Sequence, residues 1–97
     1  MKMLTIIISS DLEEHVDKIL TDMDVECYVK QSGAYGISRR CKGIFGDDLP
    51  WDATMFTVAG EAKDLEQMAK KILEREYHKE YKPCLRMMMT PVEKVWK

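Results

Sequence analysis

SGAYGISRRCKGIFGDDLP, Ser32–Pro50, divides the chain into two halves that repeat one order of elements. Before it, Met3–Ser9 reads as a strand, Leu12–Met23 as a helix and Val25–Gln31 as a strand. After it, Asp52–Ala59 reads as a strand, Ala62–Tyr77 as a helix and Leu85–Thr90 as a strand. The dividing stretch is far longer than a hairpin needs. Long loops on a compact scaffold are where binding concentrates, so this one is the first place to look for function.

The helices carry the clearest pattern. Leu12, Val16, Ile19, Leu20 and Met23 form one stripe on a 3.6-residue period. Ser10 precedes it with Glu13 three residues on, the spacing of a capping box. Leu65, Met68, Ala69, Ile72 and Leu73 repeat the stripe in the second helix, with Lys63, Asp64, Glu66, Lys70, Lys71 and Glu74 on the wet side. Glu66 and Lys70 have the favourable i to i+4 orientation, and Gly60 marks the turn out of the preceding strand. A β-α-β-β-α-β order in 97 residues is a ferredoxin-like sandwich, an α+β fold with two helices on one face of a four-stranded antiparallel sheet. It spans residues 1–97 as a single domain.

Composition bounds the function. Hydrophobic residues at 45% and charged residues at 33% describe a globular domain. A formal net charge of −2 and a pI near 5.7 argue against nonspecific nucleic-acid binding, which needs a basic surface. The opening MKMLTIIISSDLEEH is too short in apolar residues for a secretory leader, and no stretch is long enough to insert in a bilayer, so a cytoplasmic protein is expected. Three cysteines without a CxxC pair read as free thiols. Cys27 alternates with Val25 and Val29 and is expected in the core, whereas Cys41 and Cys84 fall in loops.

The strands bear on assembly. Met3, Leu4, Ile6, Ile7 and Ile8 put apolar side chains on both faces of the first strand, and Leu85, Met87, Met88 and Met89 do so in the last. Two helices on the same side leave the other face of the sheet uncovered. An exposed face should be polar; an apolar one predicts a homo-oligomer that buries it.

Two short segments carry a family resemblance. MMMTPVEKVWK, Met87–Lys97, resembles the end of the nitrogen regulatory PII signalling proteins, where an apolar strand runs into a Pro-Val-Glu-like turn and a basic tail. VKQSGAYGISRR, Val29–Arg40, resembles the stretch where their second strand rises through a Gly-aromatic-Gly motif into the T-loop, here with Gly33, Tyr35 and Gly36. The strand followed by LEEHVDKIL and VECYVK fits the same plan. The resemblance implies a homotrimer with ligand clefts between subunits. It also implies a small effector, often an adenine nucleotide, reported through the 32–50 loop to a partner transporter or enzyme. By position, Arg86 stands where the family places a phosphate-binding lysine, and Lys97 where the tail supplies a basic residue.

The chain departs from that pattern in three places. REYHKEYKPCLR, Arg75–Arg86, replaces the family's glycine-rich loop and contains no glycine, so a backbone phosphate cradle is not expected there. The T-loop is shortened and lacks the modifiable tyrosine motif, and no second tail arginine follows Lys97. The implied effector is thus an anion in a wider sense: an AMP-like nucleotide, a smaller anion or bicarbonate, with a metal as a further option.

The candidate ligand-binding residues are Gly33, Tyr35, Gly36, Arg39, Arg40, Arg86 and Lys97. Arg39, Arg40 and Lys42 beside two glycines can grip an anion or an acidic partner, or simply form a solvated loop with Asp47 and Asp48. Arg86 either meets an anion or pairs with Glu26 or Glu93. Trp51 reads as a partner anchor or as a lid on the sheet edge, and Trp96 as a side chain packed on a neighbouring subunit. His78, Cys84 and Cys41 offer soft metal ligands without tight spacing, and with HKEYKP they give a weaker similarity to CutA-type trimers. His15 lies on the polar side of the first helix, apart from them. No catalytic constellation or Walker loop suggests an enzyme, and no cofactor is implied. A ligand-free trimeric adaptor is the third reading.

Overall fold

A computed structural model describes residues 1–37, 51–77 and 84–96. Strand β1 (Lys2–Ser9) leads through a short 3-10 turn, Ser10–Leu12, into helix α1 (Glu13–Asp22). Then come β2 (Val29–Gly36), β3 (Trp51–Gly60), α2 (Ala62–Glu76) and β4 (Leu85–Pro91). The four strands form one antiparallel sheet in the order β2-β3-β1-β4, which is the ferredoxin-like arrangement expected.

Alternation in β1 decides which side is the core. Leu4, Ile6 and Ile8 are buried, while Met3, Thr5 and Ile7 are only half-buried. The register carries this across the sheet, pairing Leu4 with Val58 and Ile6 with Phe56 on β3, and Ile6 with Met87 on β4. Val16 and Leu20 of α1 and Leu65, Met68 and Ile72 of α2 close over these strands to form one core. Each buried aliphatic or aromatic side chain contributes about 1.5–3 kcal/mol relative to exposure. On the opposite, open face the register aligns Gln31, Met55, Ile7 and Arg86 in one row and Val29, Thr57, Thr5 and Met88 in the next. That face is therefore a mixture of apolar groups and polar ones, not the continuous apolar surface expected.

Several local expectations are corrected. The Ser10/Glu13 capping box does not form: α1 begins at Glu13, and its N-cap, Leu12, makes no side-chain cap hydrogen bond. The fully buried Thr54 hydroxyl takes both groups instead, donating to Glu13 Oε2 at 2.7 Å and lying 3.1 Å from Ser10 Oγ. A buried hydroxyl without partners costs more than an exposed helix end without a cap, so Thr54 wins. Cys27 is exposed rather than in the core, because β2 starts only at Val29 and residues 25–28 do not follow strand alternation. Cys84 is buried, its carbonyl accepting from the Ser9 amide at 3.1 Å where β4 begins. Residues 32–36, read as the start of the loop, continue β2.

Helix α1 is fixed to the sheet by a polar network. Lys30 Nζ lies 2.7 Å from Asp17 Oδ2 and 3.7 Å from Glu13 Oε2, and sits 5.8 Å from the centre of the Phe56 ring. The Tyr28 hydroxyl donates to Asp17 Oδ1 at 2.8 Å. This hydrogen bond, with burial and the Asp17 charge, raises the Tyr28 pKa from its ordinary value. The hydrogen bond to Asp17 likewise raises that of Lys30. Raised values mean that the network's contribution is present at neutral pH and is lost only as pH climbs through those groups' alkaline range. Between the helices, His15 Nδ1 is 2.6 Å from Oε1 of Glu76, a carboxylate only 5% exposed, so the polar side of α1 is not simply wet. The i to i+4 ion pair that forms is Lys18–Asp22 at 3.3 Å, rather than Glu66–Lys70.

Phe56→Ala should destabilise the fold by about 3–5 kcal/mol, since it opens a core cavity and removes the ring beneath Lys30. Tyr28→Phe should cost less, about 1.5–3 kcal/mol, the loss of one hydrogen bond to a charged acceptor. Urea denaturation of the two variants checks the ranking.

Candidate functional site

The open face of the sheet deepens into a cleft of about 330 Å³ where β2 ends and β3 begins. A bulge in β2 creates it. Gln31 pairs with Met55 and Ala34 with Ala53, so one extra residue is inserted between them. Gly33 takes this insertion in the left-handed region, at φ 78°, where a side chain would be strained. The extra residue inverts the alternation, turning Ala34 and Gly36 toward the open face.

Gly36 faces Trp51 directly across the ladder. A Cβ on Gly36 would fall 2.1 Å from Trp51 Cε2 and 2.5 Å from its Nε1, so the indole rests on the glycine backbone. Trp51 is half-buried and lines the cleft, so it is more than a lid on the sheet edge. Among the described residues its Nε1 is buried and has no acceptor. Leaving such a donor unpaired costs about 1–3 kcal/mol, a strain at the margin of the cleft.

The remaining walls come from Ile7 of β1, Met55 of β3 and Arg86 of β4, with Tyr35 and Ile37 on the rim. Tyr35 and Ile37 are largely exposed, at 76% and 82%. Arg86 is the one charged group among the described lining residues, and it makes no ion pair with any described residue, Glu26 and Glu93 included. The arrangement therefore offers a guanidinium beside aromatic and aliphatic surface. Such a site suits a small anion carrying a flat or apolar part.

Of the candidate residues, the cleft brings together Tyr35, Gly36 and Arg86, and Gly33 acts one step removed by shaping the bulge. Arg39, Arg40 and Lys97 lie outside the described residues, as do Cys41, Lys42, Asp47, Asp48 and His78. The segment after β4 runs away from the cleft: Val95 borders a separate groove, at the far end of the sheet from Arg86. Ile7, Trp51 and Met55 were missed as site residues, because the bulge that turns Gly36 toward Trp51 cannot be read from alternation alone. Among the described residues no group of three His, Cys, Asp or Glu side chains is placed to hold a metal ion. Among them, too, no helix is long and apolar enough to cross a membrane.

Gly36→Ala should displace the Trp51 ring and lower stability by about 1–3 kcal/mol, the usual cost of overpacking. In a Trp96→Phe background, which removes the exposed indole, the variant's fluorescence should shift to the red. Unchanged emission would show that the ring does not depend on this glycine. Comparison of the chain with protein-family models and with curated proteins finds no match to either.

Proposed function

We propose that this chain is a PII-like small-molecule sensor. It assembles as a homotrimer, binds an anionic effector in clefts completed between subunits, and signals to a partner transporter or enzyme through residues 37–50, between β2 and β3. The observation that carries this reading is Arg86: an exposed guanidinium, with no ion pair among the described residues, in a cleft lined by Ile7, Met55, Trp51 and Tyr35. An exposed guanidinium beside apolar groups can donate charge-assisted hydrogen bonds to an anion, and the aromatic rim favours a flat ring such as a nucleobase. The cleft lies where β2 gives way to the loop, so an occupant would touch the base of the signalling segment. Apolar groups on the open face, Met88 at 47% and Val29 at 58% exposure among them, leave surface for another subunit to cover.

Adenine nucleotides, bicarbonate and simple carboxylates, screened by thermal shift and then by calorimetry, test the effector. Wild-type protein should gain several degrees with one of them, because a ligand that binds only the folded state stabilises it. Arg86→Ala should remove that gain and leave the assembly intact. Ile7→Lys, on the open face, should shift the trimer toward monomer while the fold is retained, as read by light scattering and circular dichroism. A wild type that binds none of these anions would overturn the sensor reading in favour of an adaptor.

A further inference from the structure

At the opposite end of the sheet lies a second, wider groove of about 860 Å³, between the end of α1 and the start of α2. Its accessible apolar surface comes from the half-buried Met23 and Val25, and the core residues Val58 and Met68 also line it. Its rim carries Asp22, Asp24, Glu26 and Asp64 against Lys71 and the Met1 ammonium, and Asp22 already pairs with Lys18 at 3.3 Å. The last turn of α1 has no basic residue, so the partial negative charge of that helix end adds to the carboxylates. An apolar channel with an acidic rim calls for an apolar group flanked by cations.

The chain displays such a group. After β4, Trp96 is 78% exposed, and Lys94 Nζ stands 4.8 Å from the centre of its ring. An exposed indole that already carries an ammonium on its face is a rigid anchor, of the kind enriched where one protein grips another. Val95 of the same segment borders the groove while Trp96 points into solvent, so the indole does not fill the groove of its own chain.

We propose that the groove between α1 and α2 receives the Lys94–Trp96 segment of a second copy of this chain. The incoming indole covers Met23 and Val25, and the incoming Lys94 meets Asp24 and Asp64. The two surfaces differ, so the contact is head to tail and builds a ring when the rotation closes. The proposal rests on the assembly part of the reading above and is independent of the effector cleft.

Complementation tests it, in the full chain. Trp96→Ala disables the donor segment, and the double variant Asp22→Lys, Asp64→Lys disables the receiving groove. Each should weaken self-association about tenfold or more by sedimentation, which is about 1.4 kcal/mol. Mixed, the two variants retain one intact donor and one intact groove per pair, and should form heterodimers or larger mixed assemblies more tightly than either variant associates alone. Asp24→Gly separates folding from association. Asp24 sits at φ 58°, where glycine is unstrained, so this variant should melt higher yet associate more weakly. A wild type that is monomeric at micromolar concentration would overturn the assembly reading and this proposal with it. A wild type that assembles, with all three variants assembling as tightly and no tighter association on mixing, would overturn this proposal alone.

Discussion

One-sided burial of the sheet is the constraint on which the rest depends. Ile6 and Ile7 are neighbours in β1, yet Ile6 is fully buried and Ile7 is not, because α1 and α2 lie on the same side. A one-residue slip of β1 against β3 would put Ile7 on the helix-covered face in place of Ile6 while Phe56 stayed there, turning the buried set of β1 outward. The register is thus held by several kcal/mol of apolar burial. The same constraint leaves an entire sheet face, with Arg86 on it, outside the core.

Polar groups were placed by that core rather than by local rules. The Ser10/Glu13 spacing was legible, and in isolation it would cap α1. Thr54, however, is brought onto the helix-covered face by its pairing with Ile8, where its hydroxyl must find partners. Glu13 and Ser10 are the groups within reach. Glu76 shows the same logic: helix packing buries its carboxylate, and His15 from α1 meets it. Neither long-range pairing leaves a trace in sequence spacing.

Legibility follows from the range of each interaction. The helix stripes and the order of elements depend on periodicities of a few residues and are readable, whereas β2 runs Val29–Gly36 rather than Val25–Gln31. Arg86 and Gly36 were readable as chemistry, a cation and a backbone position open to close approach. What could not be read was the effect of one inserted residue in β2. With Gly33 absorbing the bulge, the alternation after Gln31 inverts, and Trp51 becomes part of the cleft wall rather than a simple edge lid. Cys27 and Cys84 exchanged their expected environments for a related reason. Whether a thiol is buried depends on where a strand begins, and strand starts are set by partners distant in sequence.

The two concave sites have opposite chemistry and lie at opposite ends of one sheet. The seven residues of β4 separate them by roughly 20 Å at the usual strand rise. Groups so far apart act additively unless a shared element has two arrangements. Strand β4 is the natural element to examine, since it lies at the sheet edge, pairs with β1 alone, carries Arg86 near its start and leads into Lys94–Trp96 beyond its end. A shift of β4 against β1 would move the guanidinium and the indole together. Any influence of an effector on assembly therefore has its shortest physical route along this one ladder, where each hydrogen bond is made on a single side.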